Sequence, residues 1–559
     1  MQQRNAPKYL LMKIKVVFFI LYWSALAFSQ SPFHYVWPID SPFVMTANYG
    51  ELRPNHFHAG IDFSTRGRIN LPVYSIDEGY VSRIRVSPTG YGKCIYVTHP
   101  NGKVSVYGHL NAFSLKIGNA AKEFQYSTQS CEIDFTPKPR IIYVRKNEII
   151  GLSGNSGGST GPHLHFEIRD ELMEIPLNPL GFYRLNDNSA PEISSIAFYN
   201  LADTSLPKFI SSHKVEEVKR DSLALSEDHL TLNSSIVGLA FSGLDRYLPN
   251  GNPNNIFAAR IYVNDTLVYV HQLNNIPFTE SRFVNEFSDV KGKVKYQKCF
   301  QPTIFPAGFF GTFTNKGRII LDDKKYLKIK LVLTDEGGNS SRLQFYLRAK
   351  EINPYTRPAA AHVFANCSEE FVVSKNDLRL QIPSRTLFYS TALFLENNIE
   401  KDDRLSIFPE VNLMQAASLG FKLPPRYSMN REKLLLRGPG TALPLNRNDS
   451  VFFAIKEFGT YRLSLDTIAP KIKVDYSARQ LKEAWQMDAF SFRISDNMSG
   501  IGKYNLWLNN AWVLAEYDAK TDLLTYYFDE ETPIGLLQFK LEVFDRVGNR
   551  AFFEYVLKK

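Results

Sequence analysis

Three short stretches of the chain carry side chains able to bind a metal ion: His58-Ala-Gly-Ile-Asp62, Tyr107-Gly-His109 and Gly161-Pro-His163-Leu-His165. Together they supply four histidines and one carboxylate between residues 58 and 165. A hydrolytic zinc centre uses three protein ligands and keeps one coordination position open, so the set holds enough donors with two imidazoles to spare. Histidine usage is concentrated in the same region, with seven of the chain's 11 histidines in the first 165 residues.

The elements that must position these groups are readable locally. Leu164, Phe166 and Ile168 alternate with His163, His165 and Glu167, the pattern of a half-buried strand. Residues two apart on a strand share a face and stand roughly 7 Å apart, so both imidazoles reach one cavity, one of them free to meet substrate instead of metal. In His58 to Asp62, Gly60 speaks against a helix, and the Ile61/Phe63 pair around Asp62 suggests a loop running into a strand. Each piece alone has a plainer account. His58 reads as a surface loop residue, His109 as a turn cap beside Gly108, and an isolated H-x-H is a weak signal. Only the three pieces together point to a metal site.

Their order resembles that of the lysostaphin/LytM-type zinc endopeptidases, which cut peptide cross-links in bacterial cell walls. The resemblance runs from about Phe43 to Asp170. It includes Asn48-Tyr-Gly-Glu-Leu-Arg53, Leu71-Pro-Val-Tyr-Ser75, Gly90-Tyr-Gly92, Tyr107-Gly-His-Leu110, Gly151-Leu-Ser-Gly-Asn-Ser-Gly157 and Ser159-Thr-Gly-Pro-His-Leu-His-Phe-Glu167. It implies an antiparallel β scaffold in which His58, Asp62 and His165 hold one Zn²⁺ per chain, while His109 and His163 line the open position as catalytic histidines. A neutral imidazole suits proton transfer near neutral pH. The chain has no H-E-x-x-H, so no glutamate base of that kind is on offer. Which histidine takes the proton from water and which stabilises the oxyanion stays open. Glu167, on the same strand face, reads as solvated or salt-bridged, with orientation of a ligand as the other reading.

Two features depart from the compact family pattern. Residues 118–140 form a stretch longer than the core requires, either a lid or a surface elaboration. Asn147 stands where the family tends to have glycine, and Asn tolerates left-handed backbone geometry. Neither touches an expected ligand, so activity is the expectation.

The chain begins with Arg4, Lys8, Lys13 and Lys15, followed by an apolar run from Val16 to Phe28 and small residues at Ala27-Phe-Ser29. That is the pattern of a cleaved secretory signal peptide over residues 1–29, with Met12 as an alternative start. It implies export, to the periplasm, the cell envelope or the medium, and no later segment is apolar enough to span a membrane. The leader holds four of the net +9 charges and leaves +5 for the rest, too small an excess to argue from. Cys94 and Cys131 allow one bridge between the insertion and the core, with buried free thiols as the alternative for all four cysteines.

Length and punctuation suggest a mainly β chain: a peptidase domain over 30–187, then three β-sandwich-like units over 188–352, 353–465 and 466–559, the middle one of unnamed fold. Asn188-Ser-Ala-Pro-Glu-Ile193 and Asp466-Thr-Ile-Ala-Pro-Lys-Ile472 look like two copies of one opening signal. Thr334-Asp-Glu-Gly-Gly-Asn339 and Phe544-Asp-Arg-Val-Gly-Asn549 look like the matching closing signals. The outer units resemble Ig-like or fibronectin-like modules of exported bacterial proteins. Alternating Leu327/Ile329/Leu331/Leu333, Leu378/Leu380/Ile382 and Phe539/Leu541/Val543 read as antiparallel strands. Asp496-Asn-Met-Ser-Gly500 reads as a turn and not as a calcium site. Lys291, Lys293, Lys295 and Lys298 read as an exposed edge strand. No long amphipathic helix follows the leader, and no basic–aromatic groove suggests nucleic acid. The expected partners are peptidoglycan peptides, with envelope proteins docking on the C-terminal units. Three other readings stand beside this one: the same chemistry on a protein substrate, a non-catalytic wall-binding regulator, and an adhesion protein with structural zinc.

Overall fold

The computed structural model describes residues 35–559 apart from 41–43, 203–205, 220–221, 248–250, 290–293, 305–309, 312–313, 351–362, 376, 447–449 and 477–486. The leader, Lys291 and Lys293 lie outside the described residues. The fold is mainly β. Its N-terminal unit is built on a twisted antiparallel sheet of β1 (Met45–Ala47), β2 (Ile61–Ser64), β3 (Gly79–Val86), β4 (Lys93–Thr98), β5 (Lys103–Leu110), β6 (Ile133–Phe135) and β7 (His163–Asp170). Their spatial order is β1-β2-β7-β5-β4-β3-β6, so β7 lies in the middle with β2 and β5 on either side. Leu164, Phe166 and Ile168 are fully buried beneath it, against Ile61, Phe63 and Tyr107. The alternation of β7 thus points its apolar half into the core and its histidines to the other face.

Register fixes the site. His165 pairs with Asp62 of β2 on one side and Gly108 of β5 on the other. Between β4 and β5 the pairing jumps from Ile95–Tyr107 to Lys93–Leu110, so Gly108 and His109 share the span of Cys94 alone. His109 takes a left-handed φ of 59° within this bulge. Bulges of this kind re-aim a side chain at the rim of a site. Gly60, in the turn before β2, is demanded by close approach: a Cβ there would lie 2.2 Å from the Phe166 carbonyl oxygen.

The insertion after β5 holds a helix where no long amphipathic one stood out in the sequence. Residues Leu115–Thr128 form a helix, α1, and β6 adds to the sheet edge beside β3. Phe124 stacks on Phe135 at 4.3 Å between ring centres. The outer face of α1 meets the last β unit, where Tyr126 packs edge-on against Trp512 and Lys122 pairs with Asp529 at 3.3 Å. Cys131 belongs to the apolar core of that last unit. The insertion is therefore the seat of the last unit. No bridge joins Cys94 to Cys131: all four cysteines are free and buried, Cys94 among Tyr96, Val104 and Val106.

The remaining chain forms further sheets. A 12-stranded sheet closes over a core containing Ile329, Leu331, Leu333 and Phe345. Two short strands in it, at Leu223 and His229–Leu232, pair parallel with Ser340–Ala349, a departure from wholly antiparallel sandwiches. A six-stranded and a four-stranded sheet enclose Leu380, Ile407 and Phe453. Two four-stranded sheets enclose Phe492, Leu506 and Leu541 as a sandwich at the C-terminal end. The core of the N-terminal unit also takes in Phe283, Phe287, Phe388 and Tyr389 from the following units, with Phe57 against Phe287 at 5.5 Å. Lys298 does lie on the terminal strand of the 12-stranded sheet, but it is buried there, not exposed, and pairs with Glu286 at 3.2 Å and Asp289 at 3.5 Å. Among the described residues no helix is long and apolar enough to cross a membrane.

Candidate metal centre

His58, Asp62 and His165 meet on the open face of β2 and β7, each at most 4% exposed. His58 Nε2 and His165 Nδ1 stand 2.9 Å apart. Asp62 Oδ1 lies 2.9 Å from His165 Nδ1 and 3.1 Å from His58 Nε2. The outer nitrogens decide what this triangle is. His58 Nδ1 faces the Asn48 carbonyl at 2.9 Å, and His165 Nε2 faces the Glu167 carboxylate at 2.8 Å. Both must donate there, because neither acceptor carries a hydrogen. That leaves two nitrogen lone pairs and a carboxylate oxygen aimed at one another. Such a set is satisfied by a cation, and its N/N/O composition with edges near 3 Å fits zinc.

The surrounding charges reinforce this. Arg53 Nη2 donates to Asp62 Oδ2 at 2.6 Å, leaving Oδ1 to face the imidazoles. Burial would raise the Asp62 carboxyl, but His58 and His165 hold it well below the usual carboxylate range. Burial pushes His58 down. The same burial acts on His165, yet Asp62 and Glu167 lift it to about 9, the mark of a site short of positive charge. Glu167 is fully buried; Arg169 Nε donates to its other oxygen at 2.7 Å, and together with His165 holds it down to about 2 against the effect of burial. Of the two expectations for Glu167, solvation is overturned, whereas the salt bridge and the orientation of His165 are both present. Arg169 itself is wrapped by aromatic faces, 4.7 Å from Phe278 and 5.2 Å from Tyr96.

His109 and His163 stand beside the triangle, their ring centres 4.7 Å apart. His109 Nδ1 donates to the Ser156 carbonyl at 2.8 Å, and His163 Nδ1 to the Gly161 carbonyl at 2.8 Å. Each is thereby anchored through Nδ1, which leaves Nε2 free of that contact. His163 Nε2 is buried without a partner among the described residues and lies 3.6 Å from Asp62 Oδ1. Burial, with His165 and His163 adding to it, lowers His109 to about 3, so it is neutral across the physiological range. The structure thus brings all five sequence-predicted residues into one place. Sequence reasoning missed Arg53 as a site residue, although it ends the Asn48-to-Arg53 motif, and it missed the Asn48 carbonyl.

Residues 56–126 match the model of Peptidase family M23. That stretch contains His58, Asp62 and His109, while His163 and His165 are added to it by the geometry of β7. The chain is 32% identical over 123 residues to the DD-carboxypeptidase/endopeptidase Mpg of Neisseria meningitidis, covering 22% of each chain. It is 29% identical over 138 residues to the peptidoglycan DD-endopeptidase ShyA of Vibrio cholerae, covering 24% of this chain and 26% of that one. Among solved structures, the catalytic domain of lysostaphin from Staphylococcus simulans is 26% identical, covering 25% of this chain and 91% of that one with a TM-score of 0.20. The chain spans about a quarter of the length of these curated relatives. It carries an M23 peptidase domain of the LytM/lysostaphin type, and that family is one of metallopeptidases.

Proposed function

We propose that this domain is a zinc endopeptidase that hydrolyses peptide cross-links of peptidoglycan after export, with the C-terminal β units positioning it or docking envelope proteins. The observation that carries the reading is the convergence of donor atoms from His58, Asp62 and His165 beside the imidazoles of His109 and His163. In this reading those three residues hold the zinc, and His109 and His163 are the catalytic pair. Zinc held there would supply Lewis acidity, polarising a peptide carbonyl and acidifying water near neutral pH. The chain's own residues do the rest. Glu167 and the Asn48 carbonyl fix the tautomers of the two ligand imidazoles, and Arg53 turns Asp62 so that one oxygen faces inward. His109 and His163, each anchored through Nδ1, offer Nε2 to accept a proton from the attacking water and return it to the leaving amine. Peptidoglycan as substrate is supported by the names of the curated relatives.

The test is digestion of purified peptidoglycan by the exported chain after chelation and again after zinc is restored. New peptide termini, identified by mass spectrometry and appearing only with zinc, are the expected result. Release of sugar fragments with intact peptides, or no release by folded zinc-loaded protein, overturns the proposal.

A further inference from the structure

The two opening and closing signals of the chain build the same side-chain cluster twice. In the first, Asp187 on the link out of the peptidase domain, Asp245 after the Ile236–Leu244 strand and Asp335 after the Leu327–Thr334 strand bring carboxylate oxygens within 4.8 Å of one another. In the second, Asp466, Asp496 and Asp545 do the same where the last unit begins. The scaffolding is shared. Asn339 donates its backbone N–H and its amide to Asp335, and the same amide to the Asp187 carbonyl at 3.2 Å. Asn549 repeats this on Asp545 and the Asp466 carbonyl at 2.8 Å.

Turn formation explains Asp335 and Asp545 but not the whole cluster. Asp245 is 4% exposed, and its Oδ1 has no hydrogen-bond partner among the described residues. Asn254, directly opposite Asp245 in an antiparallel bridge, is 5% exposed and its Oδ1 is likewise unpartnered. Among the described residues none of Asp187, Asp245 and Asp335 pairs with a Lys, Arg or His, and the nearby Arg246 turns to Glu192 at 3.3 Å. A fourth carboxylate, Glu336, accepts from Asn178 at 3.3 Å and Asn48 at 3.4 Å. Burial, then the charges of Asp335 and Asp187, push Asp245 up to about 7.

Buried carboxylates gathered without a counter-ion either keep a proton or bind a cation. We propose that Asp187, Asp245 and Asp335 form a divalent-cation site, of the calcium class, that ties the peptidase domain to the first β unit. The donors are all oxygen and come from three separate loops, which suits a large, hard ion accepting an irregular shell and disfavours zinc or copper. The site is coupled to the peptidase face by Asn48, whose carbonyl receives His58 Nδ1–H and whose side chain exchanges hydrogen bonds with the backbone of Asn255, the neighbour of Asn254. The Asp466 cluster, with Asp496 Oδ1 and buried Ser499 Oγ unpartnered, shows that the arrangement recurs wherever this opening and closing pair is used.

The test is calorimetric titration of the calcium-depleted, zinc-loaded full chain with CaCl₂ up to 10 mM, with MgCl₂ in parallel, followed by thermal melting. The wild type is expected to bind calcium and melt higher with it, and magnesium to do less. Asp245→Asn is expected to take up one equivalent fewer, or to bind at least tenfold more weakly. Without calcium it is expected to melt above the wild type, since it removes one carboxylate from a buried group that lacks a counter-ion. Asp187→Asn, at the half-exposed ligand, carries the same expectation should Asp245→Asn misfold. A folded wild type that takes up no calcium at 10 mM, or an Asp245→Asn chain with undiminished uptake, overturns the proposal.

Discussion

Arg53 holds one oxygen of Asp62 at 2.6 Å and so decides which oxygen faces the imidazoles. Its replacement by Met is expected to weaken zinc binding roughly 10–100-fold, with Lys restoring part of the loss, as measured by competition with a chromophoric chelator. Unchanged affinity in Arg53→Met would remove Arg53 from the site. Glu167→Gln is a harsher change. It leaves the Arg169 guanidinium buried against an uncharged amide and is expected to cost about 3–5 kcal/mol in urea unfolding, more than its effect on His165 alone would explain. At this scale much of the site was legible. Four histidines and Asp62 in three short motifs are strong chemical signals. Arg53, the Asn48 carbonyl and Arg169 as the partner of Glu167 were not, because an arginine or a carbonyl that orients a ligand has no spacing rule of its own.

At the scale of elements, alternation was a reliable guide and weak stripes were not. His163 to Ile168 announces β7, and Ile329, Leu331 and Leu333 are fully buried as their spacing requires. The helix α1 was missed because its buried stripe is Ile117, Ala121 and Gln125, only one of them strongly apolar. The bulge that turns His109 inward left no trace in sequence beyond Gly108. The strand Thr266–Gln272 makes a separate prediction. His271 is fully buried, and burial, assisted by Arg260, lowers it to about 3. The unfolded chain protonates this histidine near 6.5 and the folded chain does not. The stability it confers is therefore complete above pH 6.5 and is lost as pH falls toward 3, at about 1.4 kcal/mol per pH unit. His271→Gln is expected to flatten the fall of unfolding free energy between pH 6.5 and 4. An unchanged slope would show that His271 is not the group responsible.

The whole molecule wraps back on itself, and its last unit reaches the rim of the peptidase site. Lys520 donates to the carbonyls of Asn155 and Gly157, on either side of the Ser156 carbonyl that anchors His109, and Lys93 pairs with Glu516 at 2.7 Å. Lys520→Ala is expected to speed amide exchange across residues 154–158, while losing only about 1–3 kcal/mol of local stability. Uniform exchange in the two proteins would mean that the last unit does not steady that loop. Punctuation suggests joints along the chain, but no local pattern encodes the contact between residues some 360 positions apart. The central claim, that three residues hold the metal while two more use it, is tested most directly by one paired comparison. Zinc content and peptidoglycan cleavage rate are measured side by side for His165→Ala and His109→Ala. The account predicts that His165→Ala loses both metal and rate, whereas His109→Ala keeps one zinc per chain and loses roughly 10²–10⁴-fold in rate. A fully active His109→Ala, or a His165→Ala that keeps its zinc, would contradict it.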